Sequence, residues 1–427
     1  LFFFNNEFYS HNNDDPNTVG NWWSTISGSG INPSNFTTSA HKFIVQTGDT
    51  YTANGTWSVA GELQVIGTLD VNSRTVTITG ATDVDGTLII SSGTYNADGA
   101  TDIDGTLSIT GTGVYDADNT FTAASGNVTF TGAGFLRCNN TVTDLGTLST
   151  GAGTVEYDGG TQAVLADTYY NLEIDQAGTK TAQGAVNVNG TMTVQSTGTP
   201  VYDVAATTTT VTGTSTIAGT LNINGSGVYD GNGDFAASGA ITMSGTARLQ
   251  LSAANSGVSS LGNLTSSAGT VEYDGGTQNV LADVYNNLEI DQAGTKTAQG
   301  AVTVNGTMTV QSTGTPVYDV AATTTTVTGT STIAGTLNIN GSGVYDGNGD
   351  FAASGAITMD GTARLQLSAA GSGVSNLGTL DNAAGTVEYD GGTQTVLSDN
   401  YFNLEIDQSG VKTASGNLDI DGNLTFT

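Results

Sequence analysis

Small polar residues alternate with Val, Ile or Leu through most of this chain, and glycine or Asn-Gly closes each alternating run. The segments TVTITG at residues 75–80 and GAVTVNGTMTV at residues 300–310 show this pattern. Alternation with a period of two predicts β-strands with one buried face, and the glycines mark turns between them. We find no convincing helical spacing of apolar residues, so the sequence predicts an all-β protein with many short strands.

Two repeat lengths are superimposed on this alternation. GTLDV, GTLII and GTLSI begin at Gly67, Gly86 and Gly105, at equal intervals of 86 − 67 = 19 and 105 − 86 = 19. VYDGNGDFAASGAITM at residues 228–243 recurs letter for letter at residues 344–359, a shift of 344 − 228 = 116 residues. Repeats near the shorter of these lengths, without a helix, indicate stacked coils. We therefore predict a right-handed parallel β-helix, or β-solenoid, with coils of about 19–20 residues and a 116-residue superrepeat.

One coil shows which side chains this fold should bury. In GTLNIN at residues 219–224, Leu221 and Ile223 are expected to point inward, and Thr220, Asn222 and Asn224 outward. The β-branched residues suit the half-buried walls of such a coil.

The repeats divide the chain into five predicted segments. These are an aromatic N-terminal cap or docking segment (1–55), degenerate solenoid coils (56–152), a first repeat (153–268), a second repeat (269–384) and a partial third repeat (385–427).

The net charge of the chain excludes some classes of binding partner. The chain has 39 acidic and 8 basic residues, a formal net charge of −31. Such a surface repels nucleic acid and anionic membranes, so we expect neither as a partner. No apolar run is long enough to insert into a membrane. The single Cys138 forms no disulfide framework, and we expect it to pack as a small buried residue.

Residues suited to catalysis are sparse. The two histidines, His11 and His41, lie near the N-terminus, and no Ser-His-Asp set or paired metal-ligand motif accompanies them. Acids are so frequent that acid pairs do not indicate a glycosidase. Lys180 lies close in sequence to Glu173 and Asp175, which favours an ordinary ion pair. We therefore predict that the chain is not an enzyme and requires no cofactor.

Calcium is the one metal that the sequence suggests. Asp102 and Asp104 follow Asp83 and Asp85 at an interval of 102 − 83 = 19, which is one coil. Stacked coils would align these carboxylates about 5 Å apart, and a hard cation would relieve their repulsion. The alternative is that the four acids are simply solvated at coil corners.

The two ends of the sequence suggest assembly. The N-terminal segment is rich in aromatic residues, which indicates either a cap over the first coil or a docking surface. The final DIDGNLTFT resembles the opening of a fresh coil, and an open coil edge can pair with another copy. The predicted docking residues are Leu1, Phe2, Phe3, Phe4, Trp22, Trp23, Leu424 and Phe426.

Certain motifs resemble those of a known group. The N-terminal motifs are Tyr9-Ser10, Asn21-Trp22-Trp23-Ser24, Gly48-Asp49 and Asn54-Gly55. A repeat of the form GTVEYDGGTQ, then NLEIDQ, then a Lys and a Gly-x-Leu segment follows them. Together they resemble secreted cell-surface β-helical repeat proteins of Bacteroidetes. The resemblance implies export across the outer membrane by a type IX route, with the signal peptide already removed, and an extracellular or outer-surface location.

Three functions follow as expectations. The first is a structural subunit of an extracellular or cell-surface fibre, a head-to-tail homopolymer joined through exposed solenoid edges. The second is a monomeric surface stalk or adhesin that binds glycans or other cells. The third is a polysaccharide-acting enzyme.

Overall fold

The computed structural model describes residues 6–381 and 383–427. Within them the chain is almost entirely β-structure, with a single short 3-10 helix at Val19–Asn21. The strands stack in parallel as a β-solenoid, which confirms the predicted fold class. The right-handed sense and the 116-residue superrepeat stay predictions. The chain separates into two compact units, residues 1–203 with 218–220 and residues 204–217 with 221–427.

The first unit contains three long parallel ladders and two short ones. One ladder contains Glu7–Tyr9, Lys42–Val45, Glu62–Val65, Thr82–Val84, Thr101–Ile103 and Phe121–Thr122. The next contains Thr50–Thr52, Thr68–Asp70, Thr87–Ile90, Thr106–Gly111, Asn127–Gly132 and Thr147–Leu148. The third contains Trp57–Val59, Thr75–Ile78, Thr94–Ala97, Val114–Ala117, Phe135–Cys138, Thr154–Tyr157, Asn171–Ile174 and Met192–Val194. The short ladders contain Gln162–Val164, Gly178–Ala182 and Pro200–Ala205, and Thr168–Tyr169 and Val186–Val188.

The second unit also contains three long parallel ladders. One ladder contains Thr208–Val211, Val228–Gly231, Arg248–Leu251, Thr270–Tyr273, Asn287–Ile290, Met308–Val310, Ser331–Ile333 and Phe351–Met359. Another contains Val284–Tyr285, Val302–Val304, Thr324–Val327, Val344–Gly347, Arg364–Leu367, Thr386–Tyr389, Asn403–Ile406 and Leu424–Phe426. A third contains Gln278–Val280, Gly294–Ala298, Pro316–Asp319 and Thr336–Ile339, and continues through Phe351–Met359 to Val374–Asp381.

Shorter ladders complete the second unit. They contain Ser215–Ile217, Phe235–Met243 and Val258–Ser266; Gln394–Val396 and Lys412–Ala414; and Asn400–Tyr401 and Asp419–Ile420. Two strands span a boundary between the units: Pro200–Ala205, whose last two residues belong to the second unit, and the remaining strand, Thr220–Asn224.

The core follows the alternation that the sequence predicts. In strand Thr220–Asn224, Leu221 and Ile223 are fully buried and the three polar residues are partly exposed. Buried apolar residues from the facing walls fill the interior of each coil, because alternate side chains of a strand point to opposite faces.

Glycines at coil corners allow the backbones of successive coils to approach closely. A Cβ atom built on Gly86 would lie 2.1 Å from the carbonyl oxygen of Gly67, one coil earlier. Only a residue without a side chain fits there, so the regular spacing of the GTL motifs reflects corner-to-corner stacking.

An aromatic cluster packs against the first coil. The Trp22 ring stacks on Trp57 at 5.6 Å between centroids and meets Phe43 and Tyr51 edge-on at 5.1 Å each. Trp22 is completely buried, and its indole nitrogen donates a 2.8 Å hydrogen bond to the Pro16 carbonyl. Trp22 therefore packs on side chains of the strands Lys42–Val45, Thr50–Thr52 and Trp57–Val59.

Candidate functional site

An arginine bridges two glutamates on successive strands of the second unit. Glu272 and Glu289 are aligned partners in the parallel pair Thr270–Tyr273 and Asn287–Ile290. The Arg248 guanidinium donates through one Nη atom to Glu272 at 2.5 Å and to Glu289 at 2.8 Å. Both carboxylates are largely buried, so the guanidinium compensates charge that water does not reach.

The same bridge recurs at the equivalent place in the following repeat. Arg364 donates to Glu388 at 2.6 Å and to Glu405 at 2.8 Å. In both copies a glutamine two positions after the arginine adds a 2.8 Å hydrogen bond to the first glutamate. These side chains join three successive coils through one charge cluster.

The corresponding pair in the first unit has a different partner. Glu156 and Glu173 are again aligned on neighbouring strands. Arg137 donates through Nε to Glu156 at 2.8 Å, and its guanidinium lies 5.4 Å from the centre of the Phe135 ring. Glu173 accepts a 2.6 Å hydrogen bond from the Gln195 amide, as Glu289 does from Gln311 at 2.5 Å, but it has no hydrogen bond from an arginine. Burial, more than any neighbouring charge, raises the pKa of Glu156 to about 7.

A third carboxylate, that of Asp175, lies close to this pair. The nearest oxygens of Glu156, Glu173 and Asp175 lie within 4.8 Å of one another, and the described residues contain no other acidic, His or Cys group that meets this criterion. Acidic side chains often approach this closely without an ion, so this geometry alone assigns no metal.

A neighbouring acid lacks the partner that its counterparts have. Ser252 donates a 2.6 Å hydrogen bond to Asp274, and Ser368 does the same for Asp390. Asn139 takes the place of these serines one coil before Asp158, and its amide donates to Asp118 instead. One carboxylate oxygen of Asp158 is therefore buried without a hydrogen bond, and burial raises the pKa of this residue to about 6.

Asp158 lines an open, polar depression of about 480 Å³. The other lining residues are Asn139, Gly159, Gly160, Gln176 and Ala177. Ligand sites usually enclose apolar surface together with a few polar groups. This depression is mostly polar, so it does not match that description.

The four predicted calcium ligands lie on one face of the first unit. Asp83 and Asp102 are aligned partners on neighbouring strands. Burial, followed by repulsion from neighbouring aspartates, raises the pKa of both. Asp85 accepts a 2.7 Å hydrogen bond from Gln64. Asp83, Asp85, Asp102 and Asp104 do not form a group of three with oxygens within 4.8 Å, and calcium binding there stays a prediction.

The predicted ion pair of Lys180 is wrong. Its ammonium donates to three backbone carbonyls, those of Asp175 at 2.6 Å, Gln176 at 2.9 Å and Ala177 at 3.2 Å. The lysine is fully buried, and its ammonium contacts these three carbonyl oxygens rather than a carboxylate. It therefore acts as an internal brace for the turn.

Lys296 repeats this arrangement in the second unit. Its ammonium donates to the carbonyls of Gln292 at 2.8 Å and Ala293 at 3.1 Å. Gln292 has a φ of 58°, a left-handed conformation that the lysine helps to hold. Burial lowers the pKa of Lys296 to about 8.

The predicted docking residues fall into three groups. Leu1, Phe2, Phe3 and Phe4 lie outside the described residues. Trp22 belongs to the buried aromatic cluster and presents no surface to a second chain, whereas Trp23 is partly exposed. Leu424 and Phe426 are exposed on the last strand.

Sequence reasoning missed the glutamate bridges and the lysine brace. The available signal was the regular recurrence of Lys180, Lys296 and Lys412 and of Arg248 and Arg364 at equivalent places in the repeats. Identical placement of rare basic residues in so acidic a chain indicates specific partners.

No protein-family model matches this chain, and neither does any curated protein. Its fold places it in the class of parallel β-solenoid repeat proteins. In the described part of the chain, no helix has the length and apolar character needed to span a bilayer.

Proposed function

We propose that this chain is a structural subunit of an extracellular or cell-surface fibre, in which copies join head to tail. The observation that carries the proposal is the location of exposed apolar side chains. Among the described residues, eight large apolar side chains are exposed. Ile26 and Ile31 lie in the N-terminal segment, and Val411, Leu424 and Phe426 lie within residues 411–426, so five of the eight fall in these two segments.

The last coil presents a surface that an earlier coil buries. Leu424 and Phe426 are 47% and 72% exposed, whereas Met308 and Val310, at the equivalent place in the preceding repeat, are fully buried. Among the described strands, Met308–Val310 pairs on both sides, whereas Leu424–Phe426 pairs with Asn403–Ile406 alone. An open strand edge with exposed apolar residues is a template for another chain.

The N-terminal segment offers an apolar loop for the opposite side of the joint. Ile26 and Ile31 are 66% and 64% exposed. The Ser24 amide donates to the Ile31 carbonyl at 2.9 Å, and the Ile31 amide donates to the Ser24 hydroxyl at 3.0 Å. The loop is thus closed on itself and holds its apolar tip in place. Unlike surfaces on the two partners would give an open chain of subunits.

The contacts of the basic side chains also support a structural role. Arg248, Arg364, Lys180 and Lys296 are bound to other parts of the same chain, where they join coils or brace turns. An extracellular location rests on the resemblance of the N-terminal and repeat motifs.

Two paired variants test the joint. Leu424→Asp with Phe426→Asp disables the tail, and Ile26→Asp with Ile31→Asp disables the head. Val284→Asp is the matched control, because Val284 is 51% exposed but lies in neither segment. We expect the wild type and the control to form filaments in electron micrographs and large species in sedimentation velocity, and each paired variant to stay monomeric.

Mixing the two paired variants gives the sharpest readout. Each retains one functional surface, so a head-to-tail joint predicts dimers in the mixture and nothing longer. A wild type that stays monomeric at all concentrations would refute the fibre proposal and favour a monomeric stalk. Polymers that persist in both paired variants would refute the assigned surfaces.

A further inference from the structure

The first glutamate pair differs from the two later pairs by a swap of neighbouring residues. Arg248 is aligned with Thr270, and Phe135 occupies the matching place opposite Thr154. Arg137 in turn occupies the place of Gln250, since Arg137 aligns with Glu156 as Gln250 aligns with Glu272. The phenylalanine thus stands where the bridging arginine stands in the later copies.

This swap leaves the contact between strands Thr154–Tyr157 and Asn171–Ile174 without a bridging cation. Arg137 contacts Glu156 but is not hydrogen-bonded to Glu173. The charged groups that face Glu156 are Arg137, Glu173, Asp158 and Asp175. Arg137 is also attracted electrostatically by Asp116 on the preceding strand.

Backbone hydrogen bonds cross the same contact and report on whether it is closed. The Asn171 amide donates to the Gly153 carbonyl at 3.2 Å, and the Asp175 amide donates to the Tyr157 carbonyl at 3.1 Å. The later copy has the same bonds, at the same distances, from Asn287 and Asp291. The two contacts therefore differ mainly in how their glutamates are compensated.

We propose that the contact between Thr154–Tyr157 and Asn171–Ile174 is a proton-operated joint, closed when Glu156 is protonated and loosened when Glu156 is ionised beside the aligned Glu173. Arg248 and Arg364 make the two later contacts independent of such a proton. At this joint, pH would control local opening of the solenoid.

The direction of the effect follows from proton linkage. Burial raises the pKa of Glu156 to about 7, above its ordinary value of 4.5. At pH values between these two pKa values, the closed joint binds more protons than the open one, so a rise in pH favours opening. Glu173 and Asp158 add repulsion in the same direction, and Arg137 opposes it.

Hydrogen–deuterium exchange of the whole chain tests the joint. Protection of the segment 153–175 is compared with that of 269–291 at pH 5 and pH 8, after correction for the intrinsic exchange rate. We expect the opening constant of 153–175 to rise at least about tenfold more than that of 269–291, since one pKa unit corresponds to a factor of ten. Equal pH dependence in the two segments would overturn the proposal.

Two kinds of variant distinguish an effect of Glu156 protonation from a general loss of local stability. Glu156→Gln removes the titrating group with little change in shape and should abolish the excess pH dependence. Phe135→Arg with Arg137→Gln gives the first copy the bridge of the second, and should abolish it too. Persistence of the full pH dependence in Glu156→Gln would overturn the proposal.

The reciprocal exchange supplies the matched control. Arg248→Phe with Gln250→Arg should confer pH dependence on 269–291 while 153–175 keeps its own. Unchanged behaviour of 269–291 in this folded variant would show that the arginine position does not set proton sensitivity, and would also overturn the proposal.

Discussion

The phenol oxygens of Tyr157 and Tyr169 lie 3.1 Å apart in the core of the first unit. Tyr157 accepts a hydrogen bond from the Leu165 amide, and Tyr169 donates to the Leu165 carbonyl at 2.9 Å. The two tyrosines, both fully buried, and the backbone of Leu165 therefore close a ring of hydrogen bonds. Two later tyrosine pairs, Tyr273 with Tyr285 and Tyr389 with Tyr401, have hydroxyl contacts of 3.1 and 3.2 Å.

Tyr169→Phe should destabilise the chain because it removes the donor to the Leu165 carbonyl and a partner of the Tyr157 hydroxyl. A buried polar group left without a partner costs about 1–3 kcal/mol of unfolding free energy. Urea unfolding followed by circular dichroism measures the loss. Tyr170→Phe is the control, since Tyr170 is exposed and its change should stay within about 0.5 kcal/mol. Equal effects of the two changes would contradict the hydrogen-bond ring.

Arg248→Met should be strongly destabilising, because it leaves Glu272 and Glu289 with uncompensated, largely buried charge. Breaking a buried ion pair from one side costs about 3–5 kcal/mol; partial exposure of Arg248 places the expected loss at the lower end. Adding Glu272→Gln and Glu289→Gln should recover much of the loss. Arg74→Met, at an exposed arginine, is the control and should have little effect in the same unfolding experiment. Failure of the two glutamines to restore stability would argue against charge compensation.

Lys296→Met should weaken the turn that ends in Gly294. The methionine keeps most of the buried stem but leaves the Gln292 and Ala293 carbonyls without their donor, at a cost of about 1–3 kcal/mol. The matched control is Lys412→Met, where the same kind of turn is more exposed and water can replace the ammonium. Unfolding experiments should rank Lys296→Met as the more damaging change. The opposite ranking would contradict the brace.

The whole chain should be more stable at pH 5 than at pH 8. Burial raises the pKa of Asp83, Asp102 and Asp116, and takes those of Glu156 and Asp158 to about 7 and about 6. A carboxyl with a raised folded-state pKa binds more protons in the native chain than in the unfolded one. The free energy of unfolding therefore falls as pH rises from the ordinary carboxyl range towards 7.

Melting temperatures at constant ionic strength check this pH dependence. Glu156→Gln combined with Asp158→Asn should reduce the difference between pH 5 and pH 8. Added salt should raise the melting temperature at pH 8 more than at pH 5, because screening weakens carboxylate repulsion. A higher melting temperature at pH 8 in the wild type would contradict the assignment.

The fold could be predicted from the sequence because burial alternates within each strand. Leu221 and Ile223 are buried as the pattern requires, and the glycine spacing marks the corners where coils stack. The glutamate bridges could not be predicted in the same way, since they depend on how successive coils align. The interval from Glu156 to its aligned partner Glu173 is 173 − 156 = 17, whereas that from Gln250 to Glu272 is 272 − 250 = 22. A spacing that varies between coils cannot be read from a single period.

The lysine brace was missed for a different reason. Acids near Lys180 in sequence suggested an ion pair, but the turn directs backbone carbonyls at the ammonium. Backbone groups carry no sequence signature, so only the conformation of the turn shows them as the partners. The N-terminal aromatic residues illustrate the same limit: composition singles out Trp22 and Trp23 together, yet only the first is buried.

The repeated bridges at Arg248 and Arg364 have a consequence for how such a gene can change. Their spacing is 364 − 248 = 116 residues, and the residues that they join occupy matching places. Unequal recombination between the two copies would remove or insert one 116-residue segment. The new junction would contain the same bridging side chains as the existing ones. A change of length by one such unit would therefore require no new contact to evolve.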